Sequence, residues 1–428
     1  MKRKLLLVAT LGVVVIVAIA VLLYGAEAYL ASEEWEFELG TTARIERAAQ
    51  KLGVTSWDKR DKVEVIKSLR DKGRDAHTAM APSVFVDSNG MQTEEGKIFP
   101  FGGISKTTNV LCNEMGEYSI YDSDEHGFNN PLGSWTGKVD VAIIGDSFIH
   151  GACLKPGDDI ASQLRRTGLR TLNLGMGGTG PVIYSAVLKE YAEPLRPKVV
   201  VWGFYAVDIR DSVYESVSLT LMRYLDEPNF SQGLISDQPR VDRLIRDYYE
   251  TEYQKMLDGL SASRQKRRHY IIVRAIKNGL FLTRLRERLR NLGGRDVVTE
   301  GRESEKLELF TRTLRIAKER TEAWGGKFVF MYLPDWYAYG APYDTYGIKV
   351  DSNFLLRQDV LRIAKEMGVP VVDMQAEVFD KQPDPLTLFN WRTYGHYNLQ
   401  GYTLVAKRLE EFLRAQTNVN AQPHPAVN

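Results

Sequence analysis

Apolar and polar residues change their spacing near residue 139. From there, short runs of branched and aromatic residues alternate with stretches whose apolar positions recur every three or four residues. VDVAII (139–144) predicts a strand, and TLNLGM (171–176), KVVVWGFY (198–205), KFVFMYL (327–333) and VPVVDM (369–374) predict four more. DDIASQLRRTG (158–168) reads as an amphipathic helix closed by a glycine, and VIYSAVLKEYAEPL (182–195) as a helix stopped near Pro197. NLQGYTLVAKRLEEFLRA (398–415) is a final helix. Strands this apolar, separated by helices, predict a parallel sheet buried on both faces.

The expected fold class is therefore α/β, a flavodoxin-like three-layer sandwich with a five-stranded parallel sheet in the order 2-1-3-4-5. It occupies residues 136–416. A stretch at about 211–304 is too long for a plain loop and reads as a mostly helical insertion. Residues 29–135 are mixed and polar, with a helical piece at Asp58–Lys72 and a loop at Gly102–Gly103, and read as an extension packing on the main domain. The tail 417–428 has the composition of a disordered end.

Residues 1–28 follow a different pattern. Lys2, Arg3 and Lys4 precede an uncharged run from Leu5 to Tyr24, which is about the ~20 residues a helix needs to cross a bilayer. The basic flank places the remainder outside the cytoplasm, periplasmic in a Gram-negative cell. Ala26-Glu27-Ala28 resembles a cleavage site, so the alternative is a signal peptide removed near Ala28; the length of the apolar run favours an anchor. Two cysteines, Cys112 and Cys153, in an exported chain are expected to form a disulfide. The formal net charge of +1 carries no bias toward nucleic acid, and none is expected as a partner.

In open α/β sheets a site forms at the carboxyl edge of the strands. Gly145-Asp146-Ser147 follows the first strand. Asn173 to Pro181, a glycine-rich run, follows the second. Ala206-Val207-Asp208 follows the third, and Tyr394-Gly395-His396 precedes the last helix. A serine at a strand-to-helix turn exposes its hydroxyl there. Its backbone N–H and that of Gly178 are candidate oxyanion donors, and His396 is a candidate base for Ser147.

These blocks resemble the SGNH (GDSL-type) hydrolase superfamily: GDS at 145–147, Gly178 five residues after Asn173, and the histidine of GHYNLQGY before the last helix. SDEHGFNNP (123–131) resembles a lead-in of membrane-anchored bacterial members. The resemblance implies ester chemistry, often deacetylation or acetyl transfer on carbohydrates. Two positions depart from the pattern. The family's third block carries an asparagine that donates to the oxyanion, whereas Phe204–Ile209 reads FYAVDI. Asp208 stands nearest that place, but a carboxylate donates only if burial keeps it protonated; the other reading has it capping or paired with Arg210. The family's aspartate two or three residues before the histidine is replaced by Tyr394 and Thr393. A dyad resting on a backbone carbonyl, Asp373 at the fifth strand's end, or Asp384 in the next loop are the candidate substitutes; the other reading of both aspartates, and the favoured one, is structural.

The expected function is a membrane-anchored, extracytoplasmic serine esterase or O-acetyltransferase acting on an acylated polysaccharide. The alternative is a non-catalytic scaffold binding glycan or an assembly partner in an exopolysaccharide pathway. No cofactor and no metal are expected: His126 and His150, with Asp122 or Asp124, match no zinc spacing. The basic run Arg264–Arg290 suits either an anionic membrane or glycan surface, or a solvated helix face. Trp336, Tyr337, Tyr339, Tyr343 and Tyr346 suit either sugar stacking or loop packing.

Overall fold

The structure is a computed structural model. It describes residues 2–38, 40–94, 96–282, 285–286, 300–340 and 356–417. Tyr343, Tyr346, residues 418–428 and most side chains of the 264–290 run lie outside the described residues.

Ten strands are described. β1 (Ala76–Thr78), β2 (Met91–Thr93), β3 (Gly96–Ile98), β4 (Thr108–Val110) and β5 (Ile120–Asp122) belong to the extension, where β1-β4-β5 form one small sheet and β2-β3 a hairpin. β6 (Val141–Gly145), β7 (Thr171–Gly175), β8 (Val199–Tyr205), β9 (Lys327–Leu333) and β10 (Val371–Asp373) form a five-stranded sheet in the order β7-β6-β8-β9-β10, every pair parallel. Successive strand residues point to opposite faces, and they fall into two separate buried clusters. Ala142, Ile144, Val200, Trp202, Phe204, Phe328 and Phe330 lie on one side with the helices Pro181–Val187, Glu300–Ala323 and Arg357–Glu366. Val141, Ile143, Val199, Val201, Val329 and Met331 lie on the other with Ile160–Arg166 and Leu399–Thr417. Both faces are thus desolvated, which is why these strands are apolar at consecutive positions.

The helix predicted at Asp58–Lys72 is shorter, Lys62–Arg70, because Asp61 and Glu64 form a capping box at its start. The stretch 211–304 contains the helices Leu219–Asp226 and Gln238–Leu280. An N-terminal helix runs Lys2–Glu38; its segment Thr10–Tyr29, of mean hydropathy 2.4, is by length and composition the one candidate membrane span among the described residues.

Candidate active site

Three glycines build the floor of the site. Gly145 and Gly175 end β6 and β7, and Gly203 of β8 stands in register with them. A Cβ on Gly145 would lie 2.3 Å from Ile149 Cγ1, one on Gly175 2.4 Å from His150 N, and one on Gly203 2.4 Å from Ile149 Cδ1. Their bare backbones form a slot in which the helical turn Ser147–His150 lies across the sheet edge. Asp146 caps that turn by accepting Phe148 N–H at 2.9 Å. Asn173, fully buried, donates to Ile149 O at 2.8 Å and accepts Gly175 N–H at 2.9 Å. Asn129 and Asn130 of the lead-in loop donate to His150 O and Asn173 O. Asn173 and the three glycines thus shape one turn.

Ser147 Oγ lies 2.9 Å from His396 Nε2. The other imidazole nitrogen, Nδ1, is 2.9 Å from Glu114 Oε1. An ionised carboxylate accepts only, so Nδ1 carries the proton and Nε2 offers its lone pair to the serine hydroxyl. Glu114 Oε2 also accepts the His396 backbone N–H at 3.0 Å and Asn390 Nδ2 at 3.4 Å. Phe148 packs against the imidazole, ring centroids 4.9 Å apart. The geometry is that of a serine–histidine–carboxylate relay.

The group behind the imidazole corrects the sequence expectation. Asp373 binds Arg357 and accepts Ala376 N–H, and Asp384 pairs with Arg392 at 2.7 Å. Both are held by arginines of their own surroundings, whereas Glu114 arrives from the extension between β4 and β5. A sequence signal for it exists: Cys112 and Cys153 are joined in a disulfide, and Cys153 follows Ser147 by six residues, so that pairing alone brings residues 112–114 beside the serine.

Of the two readings of Asp208, its contacts match the capping one and not the oxyanion one. Its side chain is fully buried, and Oδ2 accepts Tyr205 N–H and Tyr184 O–H, both at 2.8 Å. It closes the end of β8 and presents no surface to an oxyanion in the open crevice. Gly178 has φ +70° in the glycine loop, and a Cβ on its neighbour Gly177 would lie 3.8 Å from Ser147 Cβ, so the loop flanks the serine. Gly177 N–H donates to His150 Nδ1 at 3.3 Å, and His150 Nε2 meets Tyr121 OH at 2.8 Å. His150 is fully buried; burial pushes its pKa down to about 4, so it stays neutral and braces the loop. Ser83 Oγ would lie 3.0 Å from a Cβ on Gly178. Through Ser83, Glu114 and Tyr121 the extension touches each part of the site.

The electrostatics follow from burial and pairing. Burial alone would push the His396 imidazole down; the charge and hydrogen bond of Glu114, with the charge of Asp146, more than offset it and hold the pKa above the ordinary 6.5. Burial alone would raise Glu114; the His396 charge and the hydrogen bonds from His396 and Asn390 bring it below 4.5. Burial pushes Asp146 up to about 7, and burial beside Asp146 and Asp211 raises Asp208 well above its ordinary range.

Among the remaining candidates, His126 packs edge to face against Trp135 and Tyr191, and Asp124 binds the lead-in loop through His126 N, Phe128 N and Asn130. Trp336, Tyr337 and Tyr394 form a half-buried aromatic cluster beside the histidine segment. Tyr339 donates to Asp380.

No family model and no curated protein matches the chain. Several solved structures resemble it. One is a lipolytic protein of the G-D-S-L family from Desulfitobacterium hafniense, 13% identical, covering 64% of this chain and 99% of that one, with a TM-score of 0.33. A catalytic mutant of an acetylxylan esterase from Geobacillus stearothermophilus is 15% identical over 65% of this chain and 95% of its own, TM-score 0.34. A two-domain esterase active on acetylated mannans is 15% identical over 69% of this chain and 54% of its own, TM-score 0.31. These neighbours are ester hydrolases, but likeness at that level carries no argument about this chain, whose case rests on its own side chains.

Proposed function

We propose that this chain is a membrane-anchored, extracytoplasmic serine esterase or acyltransferase of the SGNH type, acting on O-acyl groups, foremost O-acetyl groups, of a polysaccharide. The observation that carries the reading is the continuous relay Ser147 Oγ–His396 Nε2 and His396 Nδ1–Glu114 Oε1, 2.9 Å at each step. Ser147 Oγ attacks the ester carbonyl while Nε2 takes its proton, and Glu114 stabilises the imidazolium. The backbone N–H groups of Ser147 and Gly178 receive the oxyanion. Collapse breaks the bond to the sugar oxygen, which takes the proton from Nε2 to depart as a hydroxyl and leaves an acyl-serine. Water, or a second sugar hydroxyl, then loses its proton to His396 as it attacks the acyl carbonyl, and collapse returns that proton from Nε2 to the departing Ser147 Oγ. The run from Leu5 to Tyr24 and the disulfide support the anchored, exported placement.

Val207 and Asp208 supply no third oxyanion donor, which favours a slow enzyme; one missing donor costs roughly 10²–10³ in rate. The same feature supports the second reading, a glycan-binding scaffold. Turnover of acetyl esters and labelling by a fluorophosphonate separate the two. Wild type is expected to turn over and to be labelled at Ser147, and Ser147→Ala to do neither. Equal turnover by both proteins would refute the nucleophile, and glycan binding without labelling would establish the scaffold.

A further inference from the structure

We propose that the Cys112–Cys153 disulfide is a positioning element for the relay: it holds Glu114 against His396, so that breaking it lowers catalysis through that carboxylate. This rests on the esterase reading above. The bridge joins the two chain segments whose relative placement the chemistry needs. Cys112 is two residues before Glu114, and Cys153 lies in the turn that leaves Ser147–His150. Cys153 Sγ is 3.9 Å from His396 Nδ1, the atom that Glu114 meets.

Glu114 requires such enforcement. Its side chain is only 10% exposed, and a carboxylate taken from water returns to it unless its surroundings are held in place. The loop that carries it closes through Ser119 N–H to Cys112 O at 2.8 Å and rests on the catalytic turn through Ser119 Oγ to Leu154 O at 2.5 Å. On the far side Trp391 Nε1 donates to Glu114 O at 2.7 Å. Trp391 and Cys153 both have left-handed backbones, φ +54° and +62°, which non-glycine residues adopt only when their surroundings impose it. The disulfide is the one covalent member of this set, and it is attached at the serine side.

A dithiol reductant breaks the S–S bond, leaving two thiols and its own disulfide, and frees residues 112–114 from the serine turn. The test uses the full chain in detergent micelles, as oxidised protein, as dithiol-reduced protein, and as the Cys112→Ser/Cys153→Ser pair, each with and without Glu114→Gln. The readouts are kcat and KM on an acetyl ester across pH, and the His396 pKa by NMR of labelled imidazole. Breaking the bridge is expected to lower kcat by about 10²-fold, as a misplaced catalytic partner does, with little change in KM. It is also expected to lower the His396 pKa, since Glu114 is what lifts it. In Glu114→Gln the same treatments are expected to change neither. An unmoved His396 pKa, or losses that multiply with those of Glu114→Gln, would overturn the proposal. So would loss of the far-ultraviolet circular dichroism signal in the serine pair, because the bridge would then hold the fold and not one carboxylate. Absence of ester turnover in oxidised wild type defeats the esterase reading alone, and the NMR comparison still decides the role of the bridge.

Discussion

At Nδ1 of His396 stands a glutamate from some 280 residues upstream, whose carboxylate accepts both the ring and the backbone N–H of that histidine. Gly395 admits it: a Cβ there would lie 2.9 Å from Glu114 Oε2. In Glu114→Gln the shape remains but the counter-charge to the imidazolium is gone. We expect kcat to fall roughly 10²–10⁴-fold, the scale seen when a triad acid becomes an amide. Burial would then act on His396 unopposed by that charge, so the rising limb of kcat/KM should move to lower pH; a pH–rate profile checks both, and a limb displaced upward would contradict the assignment. Ser147 and His396 were legible from their short motifs because each sits at a predictable strand or helix end. Glu114 carries no motif, and only the cysteine pairing marks its neighbourhood.

At the scale of elements, the slot over β6, β7 and β8 explains why a buried strand ends in GDS. The turn must cross the sheet edge in contact with the backbone, and only glycines at 145, 175 and 203 leave room. Gly203→Ala would place a methyl 2.4 Å from Ile149 Cδ1 and 3.3 Å from Met331 Cε. We expect overpacking to cost about 1–3 kcal/mol, read as a lower denaturant midpoint, together with reduced kcat as the serine turn lifts. An unchanged midpoint would show that the turn is looser than its packing indicates. The strands and helices around this slot could be placed from periodicity alone, because β6, β7 and β8 are buried on both faces along their whole length.

For the whole molecule, buried acids dominate the response to pH. Asp146 at about 7, Glu215 at about 8 and Asp208 well above its ordinary value keep protons in the fold that the unfolded chain has already released. Each therefore loses stability as pH rises from the unfolded carboxyl range through its folded pKa. His396, raised in the fold, contributes fully below about 6.5 and loses that contribution as pH rises through its folded pKa. His150, lowered to about 4, acts oppositely: stability rises with pH from about 4 to its unfolded value near 6.5. The denaturant midpoint should thus fall between pH 6.5 and 8, above the window in which His150 acts oppositely. A midpoint that rises over that interval would show these acids to be ionised in the fold.

What the sequence by itself determined is local: which runs are strands, which are helices, and which small residues end them. Hydrophobic spacing reports burial directly, and glycine, serine and histidine at element ends mark where a backbone must turn or a side chain must face the crevice. What only the tertiary structure decided is the partner of each such side chain. Of the candidate relay acids, Asp373 and Asp384 take their structural reading because charge pairing is a matter of distance in space, and Arg357 and Arg392 pair with them. Asp208 turned inward, where its carboxyl accepts the last N–H of β8, at Tyr205, and the hydroxyl of Tyr184 from the helix Pro181–Val187. Glu114 reached His396 because the extension folds over the carboxyl edge of the sheet and is bonded there, a contact that no spacing along the chain encodes.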